Sequence, residues 1–95
     1  MRLRLYSSIG EDVPNLVSLQ AEDLDFLPTV LVCPLKQGVP ATIVRSQVVW
    51  SGATFVALCE LARPIRRQVL RPVGILDEAA SRRIMDIFLR ILARD

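Results

Sequence analysis

The sequence predicts a mainly β domain finished by one C-terminal helix. Short apolar runs recur from residue 2 to residue 76, and Gly, Pro, Asn or Ser separates them. One stretch, from about Asp77 to Leu92, carries a helical stripe instead. The 95 residues are 52% apolar and 23% charged, which suits a single globular domain over 1–95 rather than a disordered chain.

The elements follow in order. RLRLY (2–6) alternates charged and apolar residues, as a half-buried strand does. SSIGEDVPN is a polar turn broken by Gly10 and Pro14, and NLVSL (15–19) is a second strand. AEDLDF (21–26) fits one helical turn or an irregular crossing, ended by Pro28. TVLVCPL (29–35) is apolar on both faces and reads as a central strand, with Pro34 marking its end or a bulge.

After the KQGVP turn, TIVRSQVVW (42–50) is β-branched and aromatic, and SGAT (51–54) is a hairpin signal leading into FVALCEL (55–61). Pro64 interrupts, IRRQVL (65–70) is a shorter and more exposed strand, and PVGIL (72–76) leads to the helix. Asp77 is the expected N-cap, and Glu78 in the first turn complements the helix dipole. Ala80, Ile84, Ile87, Phe88 and Ile91 form one stripe, which Met85, Leu89 and Leu92 widen to roughly half the circumference. One sheet needs a narrower stripe. Met85, Phe88, Leu89 and Leu92 are therefore the expected contact with a second surface, either a second copy of the chain or a target protein.

The chain has no histidine, which removes Ser-His and Cys-His nucleophiles and most zinc sites. Cys33 and Cys59 sit inside apolar runs and read as reduced core residues of a cytoplasmic protein. No cofactor, metal site or membrane span is expected, since no apolar run approaches ~20 residues. Net charge is +2, but it is uneven: residues 1–48 carry four basic and five acidic groups, and residues 49–95 carry eight arginines against five acids. Arginine suits forked contacts with phosphate or carboxylate, although a solvated face explains such a run equally simply.

The stretch LVSLQAEDLDFLPTVLVCPL resembles the CcdB-type plasmid-maintenance toxins through Gln20, Ala21, Glu22, Asp23, Leu24, Asp25, Pro28, Thr29, Pro34 and Leu35. LCELARPIRRQVLRPVGIL and the final helix extend the resemblance over nearly the whole chain. It implies a small, strongly bent antiparallel sheet, an SH3-like barrel of the type shared with MazF and PemK toxins. It also implies a homodimer, and neutralisation by a small antitoxin with a disordered acidic tail.

Two functional motifs of those toxins differ here. Where gyrase-poisoning members end in Trp-Gly-Ile, this chain has Ala93, Arg94 and Asp95. Where RNA-cleaving members have an Arg-Pro pair and a strand-end threonine, it has Val13-Pro14 and, nearby, Lys36. No catalytic residue is therefore expected. The expected function is toxicity by protein–protein contact, with DNA gyrase or another protein as target. An RNA-binding or RNA-cleaving member of the fold and an inactive relic are the alternatives. Arg63, Arg66, Arg67 and Arg71, with the helix tip Ala93–Asp95, are the expected partner-binding residues.

Overall fold

The computed structural model describes residues 1–20 and 22–93. The elements in chain order are β1 (Arg4–Ser7), β2 (Leu16–Ser18), β3 (Thr29–Lys36), β4 (Arg45–Trp50), β5 (Ala53–Leu58), β6 (Arg63–Arg66), β7 (Arg71–Ile75) and α1 (Glu78–Leu92). The strands pair in the order β4-β5-β3-β2-β1-β7, with β6 also on β3, and every pairing is antiparallel. The mainly β fold with a C-terminal helix is as the sequence predicts. Among the described residues no helix is long and apolar enough to cross a membrane.

β3 is the hub. One edge pairs with β2, while the other pairs with β6 over Thr29–Val32 and with β5 at Leu35 and Lys36. Pro34 does not end the strand, as the sequence suggests, because it falls where the second edge changes partner. The Leu35 N–H donates to the Asn15 carbonyl at 2.8 Å on the β2 side, so alternation turns the Pro34 nitrogen toward the unpaired gap. A missing donor costs nothing there.

The two-sided apolar pattern of the central strands reflects two cores. Leu3, Leu5, Val17, Leu19, Cys33 and Leu35 join one cluster with Val48, Phe55, Ala57, Cys59, Leu76, Ala80 and Ile84. The alternate residues Tyr6, Leu16, Val30 and Val32 form a second cluster, against which Ile65 and Leu70 pack. Strand periodicity separates the sets, and burying each large aliphatic side chain stabilises the fold by roughly 1.5–3 kcal/mol.

The β4–β5 hairpin turns on Ser51 (φ 52°) and Gly52 (φ 79°), two positive φ angles in a row that match the type I′ geometry of a two-residue loop. The adjacent Trp50 lays its indole on Gly74 of β7, where a Cβ would stand 2.4 Å from the ring. The first and last strands of the pairing path thus meet, and the sheet curls almost to closure.

Asp77 caps α1 as expected: its carboxylate accepts from the Ala80 N–H at 2.7 Å. The buried Ser81 hydroxyl donates to the Asp77 carbonyl and accepts from the Leu3 N–H, both at 2.8 Å. The sequence gives no hint of this tie, since a serine on a helix reads as surface. Of the wide apolar arc, Ala80 and Ile84 are buried and Met85, Ile87, Phe88 and Ile91 pack partly on the core. Leu89 and Leu92 are 54% and 65% exposed.

The 65–70 strand is corrected. β6 spans Arg63–Arg66, and Arg67–Val69 is a 3-10 turn. The Arg67 N–H makes the last bond of the pairing, to the Pro28 carbonyl, and the Leu70 N–H then closes the turn onto the Arg67 carbonyl at 3.0 Å. Pro64 does not interrupt. Since Arg67 bonds across to Pro28, alternation along the register turns the Pro64 nitrogen to the free edge of β6, where proline is tolerated. Likewise FVALCEL leaves the sheet after Leu58 and becomes a 3-10 turn at Cys59–Leu61.

Candidate partner-binding site

The four clustered arginines divide into two kinds. Arg67 is a strut: its Nε donates to the Leu27 carbonyl at 2.9 Å and its Nη2 to the Leu24 carbonyl at 3.4 Å, while Nη1 lies 3.6 Å from Asp25 Oδ1. Arg71 crosses to the β1–β2 loop, with Nη2 at 2.8 Å from Asp12 Oδ1 and Nη1 donating to the Gly10 carbonyl at 3.0 Å. Arg63 and Arg66 are exposed and hold no ion pair or side-chain hydrogen bond among the described residues. Internal pairing of the cluster with Glu60 or Asp77 does not occur. Glu60 accepts from Arg45 Nε at 2.6 Å, and Asp77 is spent on its cap.

Arg66 and Arg67 form one wall of a groove of about 750 Å³, together with Gln68. The facing wall is the turn from Asp25 through Phe26, Leu27 and Pro28 to Thr29. Phe26 is 78% exposed, which is unusual for a side chain of its size. Asp25 is held from two sides, by Arg67 and by a hydrogen-bonded ion pair with Arg4. That hydrogen bond raises the Arg4 guanidinium above its ordinary pKa.

Gln20 supports the same turn from behind. Its Nε2 donates to the Leu24 and Thr29 carbonyls at 3.3 and 3.4 Å, and its Oε1 accepts from the Leu31 N–H at 3.4 Å. The Gln-small-acidic motif therefore contributes scaffolding here. Ala21 lies outside the described residues.

Val13-Pro14 and Lys36, which the sequence resemblance sets against the Arg-Pro and threonine pair of RNA-cleaving toxins, come near each other at the end of β3. The Leu35–Asn15 bond sets Pro14 beside Lys36. The groups there are different: the Asn15 amide exchanges bonds with Ser8, accepting from its N–H and donating to its Oγ, both at 2.9 Å. Lys36 supplies charge at that end of β3. At the helix tip, Ala93 is exposed and its N–H donates to the Leu89 carbonyl at 2.9 Å. Arg94 and Asp95 lie outside the described residues. Ala93 also borders a second hollow, of about 560 Å³, between the helix and Ile43–Val44.

Cys33 and Cys59 are buried free thiols in one core cluster, as expected. The neighbouring Cys59 and burial hold the Cys33 thiol above its ordinary pKa, while the Cys59 thiol donates to the Ala57 carbonyl.

No family model and no curated protein matches the chain. Among solved structures, the molecule is similar to a chain of the MazE–MazF complex, crystal form II, from Deinococcus radiodurans. The TM-score is 0.75 at 10% sequence identity, over 99% of this chain and 92% of that one. The chain has the MazF-like fold. This agrees with the fold that the sequence resemblance implies, and it does not single out CcdB. Arg63, Arg66 and the Phe26 groove lie on β6 and the turn before β3, at the opposite end of β3 from Lys36.

Proposed function

We propose that the protein is the toxin of a type II toxin–antitoxin pair, acting by protein–protein contact as a homodimer and neutralised by a small acidic-tailed antitoxin. The observation that carries the reading is the MazF-like fold along nearly the whole chain, with Val13 and Lys36 standing where RNA-cleaving toxins of the resembled type carry arginine and threonine. A phosphoryl-transfer reaction on RNA requires a cation at the scissile phosphate and a group that moves the proton. Lys36 meets the first need, and the Asn15 amide cannot meet the second. Contact with a target protein, DNA gyrase or another, requires neither group. Inside the cell, the antitoxin's carboxylates would pair with the arginines that the fold leaves unmatched.

The test is inducible expression in a bacterial host. Growth arrest relieved by co-expression of a small acidic-tailed protein encoded beside it is the expected result. Normal growth at high levels of folded protein would sink the reading. The RNA alternative predicts site-specific cleavage of single-stranded RNA by the pure protein. Cleavage that a Lys36→Met substitution abolishes would favour that alternative.

A further inference from the structure

We infer that Cys33 and Cys59 form a paired modification site, two thiols placed to close into a disulfide that clamps the exit of β5 onto β3 when hydrogen peroxide reaches them. The inference goes beyond the proposed function and does not depend on it.

The register gives the first reason. β3 and β5 pair at Leu35 with Ala57 and at Lys36 with Val56. Two residues further along the same register Cys33 stands opposite Cys59, and steps of two keep side chains on one face of a strand. Leu35, Ala57, Cys33 and Cys59 all belong to the larger core, as that register requires. Directly opposed side chains have Cβ atoms about 4.5–5.5 Å apart, and a disulfide needs about 3.5–4.5 Å. An approach of about 1 Å is enough.

The chain can supply that approach. On this edge of β3 the pairing with β6 ends at Val32 and the pairing with β5 begins at Leu35. Cys33 and Pro34 therefore face a gap in the ladder, which the 3-10 turn Cys59–Leu61 spans. No side-chain bond caps that turn, and the Cys59 thiol makes only long sulfur bonds, to the Ala57 carbonyl at 3.7 Å and the Ile84 carbonyl at 4.0 Å. Among the described residues its one ion pair is Glu60 with Arg45, near the surface. A pair of that kind holds weakly, so this turn opens before β3 does.

The chemistry balances within the pair. The chain has no other cysteine, so neither thiol has a rival partner inside it. Cys59 reacts first, because it lies in the turn, whereas Cys33 sits in a strand that is paired with β2. The neighbouring Cys33 also draws the Cys59 thiol below its ordinary pKa, against the effect of burial. The Cys59 thiolate attacks one peroxide oxygen and the O–O bond breaks. The departing hydroxide takes up the thiol's proton as water, and the sulfur is left as a sulfenic acid. The Cys33 sulfur then attacks that sulfur. An S–S bond forms, the S–O bond breaks, and the Cys33 proton leaves with the hydroxyl as a second water. The two sulfurs lose the electron pair that the peroxide oxygens gain. Hydrogen peroxide is close to water in size, so it passes an opening too small for a polar thiol reagent. The new bond encloses β4 and β5 in a loop and constrains the unfolded chain.

The test treats the folded protein with excess hydrogen peroxide and then blocks the remaining thiols with iodoacetamide in urea. Tryptic peptides are mapped by mass spectrometry without reduction. The peptides bearing Cys33 and Cys59 should be joined, in protein that migrates as a single chain on a non-reducing gel, and dithiothreitol should separate them. Glu60→Ala, which frees the turn, should speed the cross-link by about threefold or more. The oxidised protein should have a higher urea midpoint than the reduced one. In Cys33→Ala the Cys59 sulfenic acid should persist and be trapped by dimedone, and in Cys59→Ala trapping at Cys33 should be at least about tenfold lower.

Both thiols still alkylated after peroxide treatment, or cross-links only between chains, would overturn the inference. So would a Glu60→Ala rate equal to wild type, or an oxidised protein no more resistant to urea than the reduced one. The wild-type peptide map decides by itself if an alanine variant fails to fold.

Discussion

Arg67 shows how far residue chemistry can depart from residue type. In the sequence it is one of four equivalent arginines, yet its guanidinium fastens the turn before β3 while Arg63 and Arg66 stay unmatched among the described residues. Replacing it with methionine keeps the stem and removes the bonds to Leu27 and Leu24. The loss should be about 1–2 kcal/mol, read as a lower urea midpoint with an unchanged slope. Arg66→Met, with no bond to lose, should leave the midpoint within about 0.5 kcal/mol. The sequence does not separate the two, because their roles depend on which carbonyls of the 24–28 turn come within reach across 40 residues of chain. The cysteines are the opposite case. Their place within apolar runs was enough to predict burial. Neither should react with a polar thiol reagent in the folded protein, and both should react once urea unfolds it.

At the scale of elements, the hairpin tip is the most exacting joint. Gly74 has no positive φ, so its lack of a side chain is needed only for the Trp50 ring. Gly74→Ala should lift the indole off β7 and cost roughly 1–3 kcal/mol of stability. With a single tryptophan in the chain, intrinsic fluorescence reports this directly: the emission of the alanine variant should move to longer wavelength. The helix, its cap and the SGAT turn were plain from spacing and residue type, because each depends on neighbours in sequence. The exits from β5 and β6 into 3-10 turns were not, since they depend on where β3 changes partner. Pro34 and Pro64 misled for the same reason. Whether a proline breaks a strand is decided by the edge its nitrogen faces.

For the whole molecule, the exposed half of the helical arc remains to be covered. Met85 and Phe88 are partly used by the chain's own core, whereas Leu89 and Leu92 stand clear of it. If a second copy covers them, Leu89→Glu should shift the sedimentation profile from dimer toward monomer at micromolar concentration, with little change in monomer stability. A wild-type profile that is monomeric at those concentrations would reject the homodimer. The wide stripe was visible in the sequence. Its division into an inward part and an outward part was not, because the sheet's curl sets how much of the helix one face can cover.

The tie between Leu3 and Ser81 joins residues 78 positions apart, and the larger core draws members from both β1 and α1. Such a core cannot close while the helix is still being made. During synthesis, the apolar faces of β1, β2 and β3 would be complete in sequence but lack their cover. The pairing is also weighted toward long-range partners, which slows folding. The protein should therefore mature after its last helix has been made rather than element by element, and in that interval it would present chaperones with open strands instead of a finished surface.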